Sequence, residues 1–275
     1  INSDSLINFE EKRHNGENES LLCHIIRNDS IKEFVIFVNQ NTIPLNTKIN
    51  PSIFDTNTFL MKNKPTLIEY AAFFGSIRIF NYLKNNNIEL QPSLWLYSIH
   101  SKNPEIIQIL EENKIDSPND SFESCLIEAI KCHHNDFANY FYDNYLSLDQ
   151  NYNEKIIKSS FHYFNYEFFP EDLSQNFAFY YMFKYNHRDL AALYLDTKIK
   201  ITQLIPTLNE AIETKQLEMI YHILSKEDII NEKCFNKCKK LEKIVLPPSI
   251  ISIENYAFEG CTSLTNIFIP SSIKS

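Results

Sequence analysis

Cysteine and histidine, two side chains that commonly bind zinc, cluster near the middle of the chain. Cys125 is followed by Cys132, His133 and His134. A closed zinc site needs four side chains that converge on one point. Consecutive residues of a helix, however, project about 100° apart around its axis. We therefore interpret these four residues as structural and predict no metal ligand in the chain.

Two of the six cysteines lie next to a histidine, a pairing that can activate a thiol for nucleophilic catalysis. Cys23 precedes His24, and Cys132 precedes His133. Activation needs the imidazole within reach of the sulfur and oxyanion donors nearby, whereas adjacent side chains on a helix diverge. Only 3 residues are glycine, which excludes the glycine-rich loops that hold nucleotide phosphates. We predict no catalytic residue, no cofactor and no enzymatic activity.

The charge of the chain disfavours nucleic acid as a partner. Lys and Arg number 26 against 35 Asp and Glu, and a net charge of −9 repels phosphate backbones unless a basic patch is segregated. No apolar run approaches the ~20 residues of a membrane span. We predict neither a nucleic-acid partner nor a membrane span. The one basic patch is interpreted as a solvated helix edge and comprises Lys233, Lys237, Lys239, Lys240 and Lys243.

The cysteines also bear on the cellular location. Six of them are too sparse for a disulfide scaffold, and no secretory signal is visible. We interpret them as reduced thiols and predict a cytoplasmic protein, with the cell surface as the alternative. The first residue is Ile rather than Met, so we keep open that an N-terminal piece with a signal precedes it.

Helical hairpins must position these residues, and the clearest one spans residues 64–83. Leu67, Ile68, Ala71 and Ala72 recur at helical spacing, and Gly75 ends the run. One such hairpin cannot bury its own apolar face, so it requires similar neighbours. The second helical face is formed by Ile79, Phe80, Tyr82 and Leu83.

Similar hairpins recur along the chain. The residues that mark the start of each second helix are Arg78, Glu105, Asp136, Asp189 and Glu218. Seven residues before each mark stands a residue that is usually small, where neighbouring hairpins are expected to pack closely: Ala71, Ser98, Ala129, Met182 and Ala211.

Two further hairpins are less regular. One is marked by Glu167 and has Ser160 at the small position; its second helix is expected to be short because Pro170 cannot donate an amide. The other runs from Leu21 to Val38 and is marked by Glu33. Between it and residues 64–83, the segment 39–63 is predicted to be irregular.

The hairpin unit resembles the ankyrin repeat, whose pattern matches Thr66, Leu67, Ile68, Ala71, Ala72, Gly75 and Ile79. Residues 67–76, 92–113 and 128–140 are similar to a divergent ankyrin-type domain of unknown function found in large protist protein families. The resemblance covers roughly residues 20–225 and implies a solenoid that binds other proteins. His134 and His187 occupy the second histidine of the pattern, while Lys102, His133, Asn186 and Lys215 replace its glycine.

After about residue 232 the period changes to 23 residues. The residues of the first copy are Phe235, Cys238, Leu241, Ile244, Leu246 and Pro247, and those of the second are Phe258, Cys261, Leu264, Ile267, Ile269 and Pro270. Short strands are predicted at 243–246 and 265–269, with Cys238 and Cys261 in one buried column. The pattern resembles the BspA-like class of leucine-rich repeat. Just under two copies are present, so we expect the chain to be truncated or the two turns to be capped by the preceding helices.

Aromatic residues are expected to serve the core. Trp95 stands at the position of Ile68, which predicts packing, with partial exposure at a binding face as the alternative. The aromatic stretch 161–183 lacks interleaved basic residues, so it is interpreted as core rather than as a surface that stacks on nucleic-acid bases.

Together these patterns predict a mainly α protein, an ankyrin-type helical-hairpin solenoid with a short C-terminal α/β leucine-rich-repeat segment. The predicted domains are an N-terminal flank at 1–20, the solenoid at 21–230 and the partial leucine-rich repeats at 231–275. The predicted function is a non-enzymatic scaffold that binds an unidentified protein partner on its concave surface. The alternative is a surface or secreted adhesion protein, because BspA-like repeats occur in microbial surface antigens.

Overall fold

The computed structural model describes residues 3–146, 152–169, 176–187, 189–191, 208–209, 211–213, 215, 217–231 and 234–274. The chain forms two compact units, residues 1–150 and 151–275. The described part is mainly helical with a few short strands, as the sequence predicts. The predicted domain boundaries at residues 20 and 230 stay predictions.

The N-terminal unit is built from short helices that pair along the chain. They are α1 (Ser3–Asn15), α2 (Leu21–Arg27), α3 (Ile31–Gln40), α4 (Thr58–Asn63), α5 (Leu67–Phe74), α6 (Ile77–Asn85), α7 (Leu94–Ser101), α8 (Pro104–Glu112), α9 (Glu123–Lys131) and α10 (Asn135–Phe141). Hairpins are formed by α2 with α3, α5 with α6, α7 with α8, and α9 with α10. The first helices pack side by side, α2 on α5, α5 on α7, and α7 on α9.

The hairpin of α5 and α6 shows why the sequence folds in this way. Thr66 and Glu69 form a reciprocal capping box at the start of α5, which satisfies two backbone N–H groups that the helix leaves unpaired. Ala71 is fully buried where α5 packs on its neighbours. Gly75 ends α5 in the left-handed conformation with φ 71°, which glycine adopts without steric cost.

The left-handed turn is kept in the other hairpins although glycine is not. The residue four positions after each small residue has a positive φ throughout, which confirms the spacing read from the sequence. These residues are Lys102 (φ 55°), His133 (56°), Phe164 (57°), Asn186 (67°) and Lys215 (57°). In the first hairpin Asp29 has φ 48°, so the marked position there is Lys32, one residue before the predicted Glu33.

One backbone hydrogen bond closes five of these turns, whereas in the hairpin of α7 and α8 the N–H of Asn103 donates to Ser101 Oγ instead. The N–H of the residue after the left-handed position donates to the carbonyl five residues earlier, as in a Schellman motif. The donor and acceptor pairs are Ser30 to Ile25, Ser76 to Ala71, His134 to Ala129, Asn165 to Ser160, and His187 to Met182. The bond satisfies a carbonyl that the end of the first helix would leave without a partner.

The side chain at this same donor position also ties one hairpin to the hairpin before it. Ser76 Oγ donates to Ile26 O at 2.5 Å, and the ring of His134 donates through Nδ1 to Ile99 O at 2.6 Å. In the C-terminal unit His187 donates through Nε2 to the carbonyl of residue 161 at 2.6 Å. Each acceptor is the carbonyl one residue after the small position. We call this side-chain bond the hairpin tie.

The connection 39–63 is more ordered than the sequence predicts. Asn57 caps helix α4 through the N–H groups of Phe59 and Leu60. Asn18 is buried and donates to Asn50 O and Asp55 Oδ2, which holds the connection against the residues before α2. The prediction of an irregular connection is therefore wrong at residues 58–63, where the cap from Asn57 stabilises a helix.

The C-terminal unit contains helices α11 (Tyr152–Tyr163), α12 (Asn176–Lys184) and α13 (Leu217–Leu224). As predicted, the second helix of the hairpin marked by Glu167 is short: it is a single 3-10 turn, Tyr166–Phe168. Pro170 lies outside the described residues. The strands are β1 (Ile229–Ile230), β2 (Lys243–Val245), β3 (Ser252–Ile253) and β4 (Asn266–Phe268).

The strands pair in parallel at the offset of the sequence repeat. Lys243 pairs with Asn266 and Ile229 pairs with Ser252, so β2 lies beside β4 and β1 beside β3. The rings of Phe235 and Phe258, also one repeat apart, stack at 4.9 Å and 6°. The strands β2 and β4 confirm the two predicted ones, while β1 and β3 are additional and start the pattern before residue 231.

We expect Lys102→Gly to stabilise the chain by up to about 1 kcal/mol. The substitution relieves the strain of a Cβ at positive φ, and this gain is partly offset because glycine has more conformational entropy in the unfolded state. Gly75→Ala is the matched reversal. It should cost about 1–2 kcal/mol, since its Cβ would also lie 3.2 Å from Ser101 Cβ. Urea denaturation measures both changes. If Lys102→Gly destabilised the chain as Gly75→Ala does, the two turns would not share one conformation.

Removing one hairpin tie should destabilise the chain without altering a helix cap. Ser76→Ala is expected to cost about 1–3 kcal/mol, because Ile26 O loses a buried donor. Ser30 is the matched control: it stands at the same position of the first hairpin and, like Ser76, makes no side-chain capping bond. If Ser30→Ala shifted the denaturation midpoint as much as Ser76→Ala, the hairpin tie would not contribute to the stability of the chain.

Candidate functional site

The four residues that first suggested a metal site do not converge. Cys125 is fully buried inside α9, and burial raises the pKa of its thiol. His133 occupies the left-handed turn, and the ring of His134 donates a hydrogen bond to Ile99 O. Among these four residues, only Cys132 belongs to a group of three metal-binding side chains whose ligand atoms lie within 4.8 Å of one another in the described part of the chain.

Cys132 lies instead beside His100 and Glu128. Its Sγ is 3.5 Å from His100 Nδ1, and His100 Nε2 is 3.1 Å from Glu128 Oε1. His100 comes from the last turn of α7, whereas Glu128 and Cys132 are four residues apart on one face of α9 and its C-cap. Lys131 donates to Glu128 Oε1 at 2.7 Å. We call His100, Glu128 and Cys132 the α7–α9 cluster.

The electrostatics of this cluster do not favour a nucleophilic thiol. Burial raises the pKa of the Cys132 thiol to about 11, and the Glu128 carboxylate adds to the shift. Burial also opposes ionisation of Glu128, but His100 and Lys131 outweigh it and hold the pKa of this carboxyl below its ordinary value. The cluster therefore holds a neutral thiol beside a carboxylate, and an attacking thiolate would be scarce at neutral pH.

Sequence reasoning missed His100 because it lies in a different hairpin from Cys132. The signal was present in the repeat spacing. Two residues before the left-handed turn, successive hairpins carry Phe73, His100 and Lys131. The rings of Phe73 and His100 stack at 4.5 Å, so these positions form one column along the unit. The column of five residues before the turn reads Tyr70, Tyr97 and Glu128.

The remaining cysteines serve packing. Cys234 is fully buried, while Cys238 and Cys261 are half-buried, so the predicted column of Cys238 and Cys261 is more open than expected. Cys261 Sγ lies 3.0 Å from Phe235 O. All six cysteines are described, and all are free thiols.

Trp95 packs in the core, as predicted. Only 1% of the residue is exposed, and Nε1 donates to Ile115 O and Asp116 O. The aromatic stretch 161–183 is mixed: Phe161 is fully buried, whereas Tyr166 is 64% exposed. The side chains of Phe177, Phe179 and Phe183 lie outside what the structure describes.

The lysine patch lies in turns and on β2 rather than on the predicted helix edge. Short β-type turns replace the helix there because the 23-residue repeat closes each turn on Gly260 or on the equivalent Lys237, both at positive φ. Lys240 pairs with Glu213, and Lys243 lies 5.0 Å from the centre of the Phe268 ring. Lys233 is outside the described residues. The described lysines are exposed, as predicted.

An exposed apolar surface stands out in the C-terminal unit. Val245 on β2 and Phe268 on β4 are direct register partners and are 42% and 53% exposed. Ile244, between Lys243 and Val245, faces the core instead. A cleft of about 340 Å³ next to Val245 is lined by Leu217 and Tyr221 of α13, themselves 46% and 38% exposed. We call Leu217, Tyr221, Val245 and Phe268 the ribbon face.

Within the described residues, no helix is both long enough and apolar enough to cross a membrane. The predicted location in the cytoplasm is not tested by this observation and stays a prediction.

Comparison with known proteins bears on the C-terminal part of the chain. The family model of the BspA type leucine rich repeat region, in six copies, matches residues 213–275. This supports the predicted leucine-rich repeats and extends them upstream to include α13 and the whole ribbon face. No family match supports the ankyrin resemblance. No curated protein and no solved structure matches the chain.

The ribbon face should tolerate polar substitution, since it is already in contact with water. Phe268→Asp is expected to change the free energy of unfolding by about 1 kcal/mol or less, mostly through loss of the Lys243 contact. Ile244→Asp, one strand away and fully buried, should cost more than about 3 kcal/mol because it buries an unpaired charge. Thermal denaturation of both variants checks this, and similar losses would place Phe268 in the core.

Proposed function

We propose that this chain is a protein-binding module and that the ribbon face is its binding surface. The observation that carries the proposal is the pair Val245 and Phe268, two apolar register partners exposed side by side in the segment that matches a repeat family of protein-interaction modules. Exposed apolar residues that are contiguous, rather than scattered, are typical of surfaces that bind another protein.

The chemistry of the face fits a peptide or protein partner better than a small molecule. The cleft beside Val245 is shallow and lies next to exposed side chains of α13 and β2. Tyr221 offers an aromatic ring with a hydroxyl, a residue type enriched where proteins bind one another. Lys243 adds a positive charge over Phe268, which favours an acidic group beside an apolar anchor in the partner.

We further propose that residues 21–230 form an ankyrin-type solenoid that presents this face as part of a scaffold. Support comes from the repeated left-handed turns, the Schellman bonds and the hairpin ties of the described hairpins. A solenoid of this kind offers an extended concave surface for a second contact with the partner.

The proposal includes the absence of enzymatic activity. Catalysis by Cys132, which lies beside the His100 imidazole, would require a thiolate, and burial raises the pKa of that thiol to about 11. The matched repeat family is a typical non-enzymatic interaction module, which agrees with this proposal.

Peptide display on phage tests the binding face directly. The whole chain is immobilised and a random peptide library is selected on it. We expect enriched clones with apolar or aromatic residues, and we expect these clones to bind the double variant Val245→Asp, Phe268→Asp about tenfold more weakly or worse, because the face loses its apolar anchors.

The matched control carries the same change at exposed isoleucines of the other unit. Ile36 and Ile53 are 55% and 86% exposed, and their double change to Asp should leave clone binding unchanged. Clones that bind the Val245 and Phe268 double variant as well as the wild type would refute the ribbon face. Failure to enrich any clone would count against a peptide-binding module altogether.

A further inference from the structure

The α7–α9 cluster has the composition of a metal site rather than of a packing contact. One nitrogen, one oxygen and one sulfur ligand come from His100, Glu128 and Cys132, and one ligand atom of each lies within 4.8 Å of the other two. The spacing of Glu128 and Cys132 places both on one face of α9, as in helical metal-binding motifs that use residues four apart. His100 reaches them from α7.

The imidazole of His100 is held in place before any ion arrives. Phe73 stacks on it at 4.5 Å and 25°, and Phe59 covers it at 4.6 Å and 41°. Its side chain is only 9% exposed. A ligand held in this way loses little conformational freedom on binding, which favours affinity.

One polar atom of this imidazole lacks a hydrogen-bond partner. Nε2 of His100 is buried, and although it lies 3.1 Å from Glu128 Oε1, the contact falls outside hydrogen-bond geometry. Within the described part of the chain no other group satisfies it. A buried nitrogen that meets a carboxylate without good hydrogen-bond geometry is poorly satisfied, and a bound cation would give it a better partner.

The donor set selects the class of ion. Thiolate and imidazole favour zinc and similar transition ions, whereas magnesium and calcium prefer oxygen ligands. Three protein ligands leave one position of a tetrahedral ion for water or for a group of a partner.

We propose that His100, Glu128 and Cys132 bind a single divalent transition ion of the zinc class. Binding forms a metal–sulfur bond and breaks the S–H bond of Cys132, whose proton passes to the solvent. The ion pair between Lys131 and Glu128 breaks, and the Lys131 ammonium, on a side chain that is 32% exposed, moves into the solvent. The ion ties α7 to α9 and so joins two neighbouring hairpins. This site is independent of the ribbon face.

Cobalt, used as a spectroscopic probe, tests the site. The whole chain is treated with chelator, kept reduced, and titrated with Co²⁺ alone. We expect one equivalent to bind, with the visible bands of a four-coordinate ion and the near-ultraviolet charge-transfer band of a thiolate bond. Cys132→Ser should abolish the charge-transfer band and weaken binding by about tenfold or more. Zinc should displace the cobalt and raise the Tm of the wild type.

Two control variants separate this site from the other thiols. Cys125→Ala lies on the same helix α9, and Cys238→Ser removes one of two half-buried thiols of the C-terminal unit; both should keep the band. His100→Gln should lose cobalt binding. If His100→Gln does not fold, Cys132→Ser provides the decisive test. A thiolate band that survives Cys132→Ser, or no uptake of cobalt by the folded wild type, would overturn the proposal.

Discussion

The ends of the first helices impose the constraint on which the hairpins depend. A helix leaves its last carbonyls without partners, and in a stack these ends lie between neighbours, away from water. In five hairpins the left-handed turn satisfies one of these carbonyls with the N–H five residues later, as Ser76 does for Ala71. In three hairpins the side chain of that same residue also donates to a carbonyl of the preceding hairpin. These bonds give partners to carbonyls where the short helices pack on one another.

This constraint acts on backbone geometry, which explains what could be predicted from the sequence. The small residues and the spacing of the turns followed from apolar periodicity alone, since burial fixes residue size. The turn itself tolerates Lys102 or His133 in place of glycine, at a cost of about 1 kcal/mol that packing offsets. The hairpin tie was not visible, because a serine and two histidines perform the same bond and share only the ability to donate.

The C-terminal unit was easier to interpret from its sequence, for a physical reason. In a parallel repeat each residue lies directly against its counterpart one turn later, so identity at a fixed offset is itself a contact. Phe235 and Phe258 stack face to face, and the register of β2 with β4 equals the offset in the sequence. Strands β1 and β3 carry a weaker signal of this kind, because Ile230 and Ile253 are identical at the offset whereas Ile229 and Ser252 differ in type.

The metal-binding side chains occur where equivalent positions of successive hairpins change from aromatic to polar residues. Two residues before the turn, Phe73 gives way to His100 and then to Lys131; five residues before it, Tyr97 gives way to Glu128. These columns are buried at Phe73 and Tyr97, and they stay mostly buried at His100 and Glu128, whose side chains are 9% and 14% exposed, so the polar groups meet across hairpins. Aligning repeats by column, rather than searching along the chain, would have brought His100, Glu128 and Cys132 together from the sequence.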